Sequence, residues 1–260
     1  MKYKHTLLTA ATLAAFASTA TAATTLLSDT FDVGATPSLG DDGDDPNDGA
    51  WTASHVGTSV TLVGDGMPQN NTLGFSPDTT FRYAITTFSE ATLGNGDSLD
   101  ISFKVRATSG PTVASGAFQF VLNDTNAGGY AFFSSWGDGS TNAIWHGNGG
   151  LSANNSFGID GDDFDVTGTT WHTVNATITR VDATHLTFTY GLDGTNHVNA
   201  VTVEDLTPTF TFNRLHIGNR SSEQAFLLDD VLVTYQAVPE PSSAALLGLG
   251  GLALILRRRK

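Results

Sequence analysis

No cysteine occurs in the 260 residues, which excludes disulfides, thiolate metal sites and cysteine nucleophiles, so stability rests on packing or on bound ions. Basic residues are scarce: twelve Lys plus Arg stand against 26 Asp plus Glu, a formal net charge of -14. Half of the twelve lie at the ends, as Lys2, Lys4, Arg257, Arg258, Arg259 and Lys260. Between Ala23 and Ala237, twenty-five acidic side chains face six basic ones, a balance of about -19. Such a charge repels polyanions, so nucleic acid is not an expected partner, while divalent cations and neutral or cationic polymers are compatible with it.

Glutamate is scarce as well. The middle of the chain holds only Glu90, Glu204 and Glu223, none of them in the Glu-x-Asp-x-x-Glu strand arrangement that some jelly-roll glycosidases use. There is no Gly-x-Ser-x-Gly elbow, no His-Glu-x-x-His and no phosphate-binding glycine loop. His55, His146, His172, His185, His197 and His216 are scattered singly, an arrangement more typical of surface or strand positions than of ligands or bases. No catalytic constellation stands out, and a pair of Asp residues across a sugar bond would depend on a separation that a sequence does not reveal.

Long apolar runs are confined to the two ends. Lys2 and Lys4 precede the run Leu7 to Ala17, and Ala20-Thr21-Ala22 follows it. That order predicts a secretory signal peptide over 1–22, a helix cut by signal peptidase after Ala22. At the other end, Pro239, Glu240 and Pro241 precede an apolar stretch from Ala244 to Leu256 and the basic finish Arg257, Arg258, Arg259 and Lys260. The prolines deny the entry helical hydrogen bonds, and the terminal cations act as a membrane stop on the cytoplasmic side. At about 1.5 Å per residue the stretch reaches only about 20 Å, short of the about 30 Å hydrocarbon core, so it predicts a short transmembrane helix.

This tail, "VPEPSSAALLGLGGLALILRRRK", resembles the PEP-CTERM sorting signal of Gram-negative bacteria. The resemblance implies an exosortase-type membrane protease as partner, acting near Pro239, Glu240 and Pro241 on an inner-membrane-anchored precursor. It also implies delivery to the cell surface or an exopolysaccharide matrix. It says nothing of the middle of the chain.

That middle, 23–237 between the signal peptide and the sorting segment 238–260, is rich in turn and strand formers, with 25 of the chain's 28 glycines and fifteen of its sixteen phenylalanines. Leu99 to Arg106 alternates apolar and polar over eight residues, as a half-buried strand does. Similar runs are Phe118 to Leu122, Tyr130 to Ser134, Trp171 to Val181, Leu186 to Leu192, Phe210 to Ile217 and Leu227 to Tyr235. No long period of 3.6 appears. The pattern predicts an all-β antiparallel sandwich of the jelly-roll kind, with a meander formed by a turn at Asp182-Ala183-Thr184 and another at Asp193-Gly194. The segments "LLSDTFD", "GAWT", "WHTVNATITRV" and "RLHIGNRSSEQAFLLDDVLVTY" resemble laminin-G-like or concanavalin A-like domains. That resemblance implies carbohydrate or protein binding, sometimes with calcium, and in a minority glycoside hydrolase or lyase activity.

Three sets of residues are candidate sites. Asp29 and Asp32 on the first strand, with Asp229 and Asp230 just before the last, converge on one calcium ion if those strands are neighbours; the alternative is that they satisfy backbone groups at a strand edge. Two acidic loops, Asp41 to Asp48 and Asp160 to Asp165, read either as calcium-relieved or as simply solvated. Trp136, Trp145 and His146 fall at or within a glycine-rich stretch, Gly137 to Gly150, and read either as a glycan contact, since tryptophan faces stack on sugar rings, or as aromatic caps on the core. Trp51 and Trp171 read as core. The expected function is therefore an exported surface or matrix protein whose sandwich binds a glycan, or another surface component, without catalysis; a secreted polysaccharide hydrolase or lyase, and a purely structural matrix protein, are the alternatives.

Overall fold

Alternation of apolar and polar side chains decides the architecture. In the segment His172–Arg180 the buried positions are Val174, Ala176 and Ile178, and in His185–Leu192 they include Leu186, Phe188 and Tyr190. Each strand therefore has one face for a core, and such faces are stable only when two sheets close on each other. The computed structural model describes residues 22–31, 51–53, 60–64, 71–75, 82–107, 116–123, 129–136, 143–146, 170–205, 208–219 and 226–238. The chain divides into two units, one made of Met1–Ala22 with Ala237–Lys260, the other of Ala23–Gln236. Of the first unit, only Ala22, Ala237 and Val238 are described. The expected signal helix and the expected C-terminal span thus lie outside the described residues, among which no helix is long and apolar enough to cross a membrane.

The second unit is an all-β antiparallel sandwich. Its described strands are β1 (Thr24–Asp29), β2 (Thr52–Ala53), β3 (Val60–Gly64), β4 (Asn71–Phe75), β5 (Arg82–Thr92), β6 (Ser98–Ala107), β7 (Gly116–Asn123), β8 (Gly129–Trp136), β9 (Ala143–His146), β10 (His172–Arg180), β11 (His185–Leu192), β12 (Thr195–Glu204), β13 (Thr211–Asn219) and β14 (Phe226–Gln236). The larger sheet has eight strands in the order β12-β11-β10-β6-β14-β4-β3, with β1 also on β14; the smaller runs β2-β5-β13-β7-β8-β9. The expected meander is present as β10-β11-β12. Its second turn is the two-residue Asp193-Gly194 link between the paired residues Leu192 and Thr195. Both central residues have positive φ, 50° and 81°, the backbone that matches strand twist and that the Asp-Gly dipeptide accommodates.

Register aligns the core across the larger sheet: Val233, Ile101, Ala176 and Tyr190 form one row, and Leu99, Ile178, Phe188 and Val201 another. The smaller sheet supplies Ala84, Phe120, Leu122, Tyr130, Leu215 and Ile217. Aromatic rings lock the layers together, with centroids 5.5 Å apart for Phe103 and Phe120, 5.7 Å for Phe120 and Tyr190, and 5.3 Å for Tyr130 and Phe188. Such tilted and edge-on pairs add to the gain from burial alone.

Two expectations are corrected. Asp229 and Asp230 lie inside β14 rather than before it, because a bulge there sets two residues, Asp230 and Val231, against Phe103 alone and places Asp230 at φ 49°. That break in the period of two is what makes the pair look like a strand boundary in sequence. Trp51 is core, 3% exposed, but Trp171 is only part-buried at the start of β10, with the Arg106 guanidinium 4.8 Å from its ring centroid. It caps the sheet through a cation–π contact.

Candidate functional site

The first and last described strands are neighbours, the condition for the aspartates to converge: β1 pairs with β14, Asp29 opposite Val231. The carboxylates gathered at this edge are nonetheless taken up by protein donors. Asp29, 2% exposed, accepts the Phe31 backbone N–H at 3.0 Å and the Trp51 indole N–H. The bond to Phe31 closes an Asx-type turn and holds Phe31 at φ 55°, and the Phe31 and Trp51 rings pack 5.7 Å apart. Asp229 accepts the Asp230 N–H at 2.9 Å, and Asp230 pairs with the Lys104 ammonium, both side chains at least 40% exposed. The pair borders a depression of about 310 Å³ that also touches Ser28, Thr30, Ser102 and Thr173. Asp32 and both acidic loops lie outside the described residues, among which no group of three or more His, Asp or Glu is placed to hold a metal ion. As placed, Asp29, Asp229 and Asp230 serve backbone and side-chain donors at the strand edge, the alternative reading of these carboxylates.

Two histidines that look solitary in sequence sit on carboxylates. His172 Nδ1 is 2.7 Å from Asp193 Oδ2, whose other oxygen accepts the Thr173 N–H at 2.8 Å. Burial opposes ionisation of Asp193, but the bonds from Thr173 and His172 outweigh it and hold the carboxyl below its ordinary value. His185 Nδ1 is 2.9 Å from Asp182, which also accepts the N–H groups of Thr184 and His185; these bonds, Thr184 first, pull the Asp182 carboxyl down to about 2. Both pairs fasten the turns of the meander.

The outer face of the smaller sheet is different. Because Leu215 and Ile217 of β13 and Phe120 and Leu122 of β7 point into the core, alternation puts Arg214, His216, Val121 and Asn123 on the opposite face. Three rows cross this sheet. One runs Thr87, Arg214, Asn123, Gly129; the next Thr52, Ile85, His216, Val121, Ala131, Trp145; the third Tyr83, Gly218, Gln119, Phe133, Ala143. No residue in these rows is Asp or Glu.

Arg214 and Asn123 are direct cross-strand partners, and such partners stand about 5 Å apart at Cβ. Arg214 Nε and Asn123 Oδ1 are both shut off from solvent and have no hydrogen-bond partner among the described residues. Burial, and then the nearby Arg214 charge, push the His216 imidazole down to about 4, so the ring is neutral at physiological pH. Gly129 ends the first row for a steric reason: a Cβ there would lie 2.8 Å from Asn123 Cβ and would also strike the Leu122 carbonyl. The absence of a side chain at 129 is what lets Asn123 hold its position.

Of the residues expected to contact a glycan, Trp145 stands at a register position in the His216 row, His146 stands opposite Tyr130, and Trp136 stands at the far end of β8 opposite Gly116. The three thus occupy different rows. Arg214, His216 and Asn123 carried no motif in the sequence. The signal available for the first two was the alternation Arg-Leu-His-Ile in β13, which sets both polar residues on the side away from the core.

Comparison with known proteins gives an identification for the tail alone. Residues 237–260 match the PEP-CTERM protein-sorting motif, which implies an exported protein, held at a membrane before processing by an exosortase, a membrane protease. Pro239, Glu240 and Pro241 and the basic residues Arg257, Arg258, Arg259 and Lys260 lie within the match but outside the described residues. No curated protein matches the chain. Among solved structures, an alginate lyase in complex with an alginate trisaccharide is similar at a TM-score of 0.54 and 13% identity, over 84% of this chain and 100% of its own. The same lyase with a tetrasaccharide gives 0.52 and 14%, over 82% and 96%. The lectin UEA-II complexed with galactose gives 0.46 and 11%, over 84% and 100%. At such identities the likeness to the lyase is one of fold, a jelly-roll sandwich.

Proposed function

We propose that this chain is a surface or extracellular-matrix protein of a Gram-negative bacterium, and that its sandwich binds a glycan on the outer face of the smaller sheet without altering it chemically. A signal peptide over 1–22 removed by signal peptidase, and a tail processed by an exosortase, provide the route. The observation that carries the reading is the outer face of the smaller sheet, where the half-buried side chains of Arg214, His216 and Asn123 stand in rows that hold no carboxylate. Guanidinium and amide groups supply both donors and an acceptor. A sugar, with hydroxyls that both donate and accept, has the chemistry to meet them. Glycan-binding neighbours in fold, the alginate lyase included, are consistent with the reading.

Binding without catalysis is favoured over hydrolysis by the same rows of residues. Glycoside hydrolysis uses two carboxyl groups flanking the bond, and the rows around Arg214 and His216 contain none. Glu90 is exposed and lies within the β5 irregularity, between Thr87 and Ala91, the partners of Arg214 and Phe212, outside these rows.

The test is retention of the full-length secreted product on a panel of insoluble polysaccharides, with the supernatant assayed for new reducing ends and for unsaturated sugar products. Retention on at least one polymer with no product supports the reading. Released oligosaccharide would make the protein an enzyme, and no retention on any polymer would leave a purely structural matrix component.

A further inference from the structure

The outer face of the larger sheet holds a second set of hydrogen-bonding groups, different in make-up from the first. Ile101 and Phe103 of β6, Val174 and Ala176 of β10, Val233 of β14 and Leu27 of β1 are buried in the core, so alternation turns Ser102, Asn175, Leu232 and Ser28 outward. Register sets these four in one row, Ser28 opposite Leu232, Leu232 opposite Ser102 and Ser102 opposite Asn175. With strands about 4.8 Å apart, the row is about 14 Å long. Depressions of about 310 Å³ and about 280 Å³ flank it and share Ser102 and Leu232, each near the lower end of the volumes that small ligands fill, about 300 to 1,000 Å³. Short side chains on β6 and β10 leave the space, and the bulge at Asp230 and Val231, which bends β14, forms one rim.

Elsewhere on this face hydroxyls satisfy one another or the backbone: Thr187 and Thr202 lie 3.0 Å apart, Thr189 accepts the Ala200 N–H at 3.2 Å, and Thr177 donates to Asp100 at 2.6 Å. The side chains of Ser28, Ser102, Asn175 and Thr234 make no hydrogen bond among the described residues. Asn175 is fully exposed, and Leu232, 37% exposed, stands between two serines as the row's one apolar side chain. Hydroxyl and amide groups both donate and accept, as sugar hydroxyls require. The charges beside the row are already engaged, Lys104 with Asp230 and Asp100 with Thr177, and two carboxylates against one ammonium disfavour an anion. The row and its neighbours hold no Trp, Tyr or Arg, the side chains that anchor protein partners.

We propose that this row is a second glycan site, taking an uncharged polysaccharide strand whose hydroxyls meet Ser28, Ser102 and Asn175 and whose C–H face lies on Leu232. The site stands without the one on the smaller sheet. Its consequence rests on that reading as well: the two faces point away from each other across the sandwich, so a domain that binds at both ties separate polymer strands together.

The experiment measures affinity of the full-length secreted product for soluble dextran, laminarin, hydroxyethylcellulose and galactomannan, with carboxymethyl dextran as the charged control. At least one neutral polymer should bind. Ser102→Arg, which lays a long charged side chain where the two depressions meet, should weaken that binding tenfold or more. Leu232→Ala and Asn175→Ala, at exposed positions, should each weaken it about threefold, and they decide the matter should Ser102→Arg melt at a lower temperature. Arg214→Gln probes the smaller sheet. Loss in both the Ser102 and the Arg214 variants, with the wild type alone bringing soluble polymer down on centrifugation, supports two sites and the bridging. Loss in the larger-sheet variants only keeps this site and removes the reading of the smaller sheet. Binding untouched by the larger-sheet variants overturns the proposal, and its loss in Arg214→Gln would then leave the smaller-sheet reading standing. Tighter binding of carboxymethyl dextran than of dextran would overturn the assignment to an uncharged strand, and failure to bind any polymer would overturn both sites.

Discussion

Tyr130 on β8 donates its hydroxyl to Asp205 Oδ2 at 3.1 Å, a bond between buried groups that joins the smaller sheet to the end of β12 in the larger. Burial above all, and then the Asp205 charge, drive the phenol far above its ordinary pKa, so the hydroxyl stays a donor throughout the accessible pH range. Tyr130→Phe keeps the ring contacts with Phe188 and Phe212 but leaves a buried carboxylate short of a donor. A loss of about 1–3 kcal/mol is expected, read as a lower urea midpoint at unchanged slope. An unchanged midpoint would show that the bond contributes nothing.

Asp29 is expected to act through Trp51 and Phe31. Asp29→Ala removes the acceptor for both N–H groups and releases Phe31 from its left-handed backbone, at a cost of about 2–4 kcal/mol. Trp51 emission should shift to the red as the indole loosens. Adding EDTA to the unaltered protein tests the calcium expectation separately: a Tm lower by several degrees would show that a bound cation contributes to stability, and an unchanged Tm would remove it.

Glycine substitutions separate backbone strain from steric contact. At Gly194 a Cβ meets nothing within 4 Å, but φ is +81°, so Gly194→Ala should cost about 1 kcal/mol from conformation alone. Ligand binding should be unaffected. Gly129→Ala should both destabilise the fold and weaken binding, because the added methyl displaces Asn123. If Gly129→Ala bound as the wild type does, the Asn123 position would be immaterial to the ligand.

Acidity should unsettle the smaller sheet before the carboxylates titrate. The folded His216 pKa, about 4, lies below the ordinary 6.5, so between those values the unfolded chain binds the extra proton. Stability therefore falls as pH drops from about 6.5 towards 4, and the full contribution is present above 6.5. With solvent still reaching part of this face, the span is about 1–2 kcal/mol. His216→Gln should flatten the slope of urea stability in that window; a parallel slope would place its origin elsewhere.

Local features of the fold were legible in the sequence for physical reasons. The burial of alternate residues in β6, β10 and β11 follows a period of two that any reader of Leu99 to Arg106 can see, and Asp193-Gly194 announces its turn by the φ values it tolerates. The β14 bulge was hidden, because Asp230 takes a backbone normally left to glycine and two adjacent aspartates read as a loop. The candidate site was hidden for a different reason. Arg214 and Asn123 are ninety-one positions apart, and their pairing depends on β13 entering between β5 and β7, a register set by the packed core and by no local signal. Trp145 was noticed for its ring, yet the row it shares with His216 exists only after four strands, β13, β7, β8 and β9, have assembled.

The pairing of Thr24 with Tyr235 has a mechanical result. The opening rung of the β1 ladder lies beside the closing stretch of β14, so a pull applied through either end enters the sandwich at one corner, as a signboard hangs from a single bracket. Neither strand belongs to the sheet that holds Arg214, and that sheet carries none of the load directly.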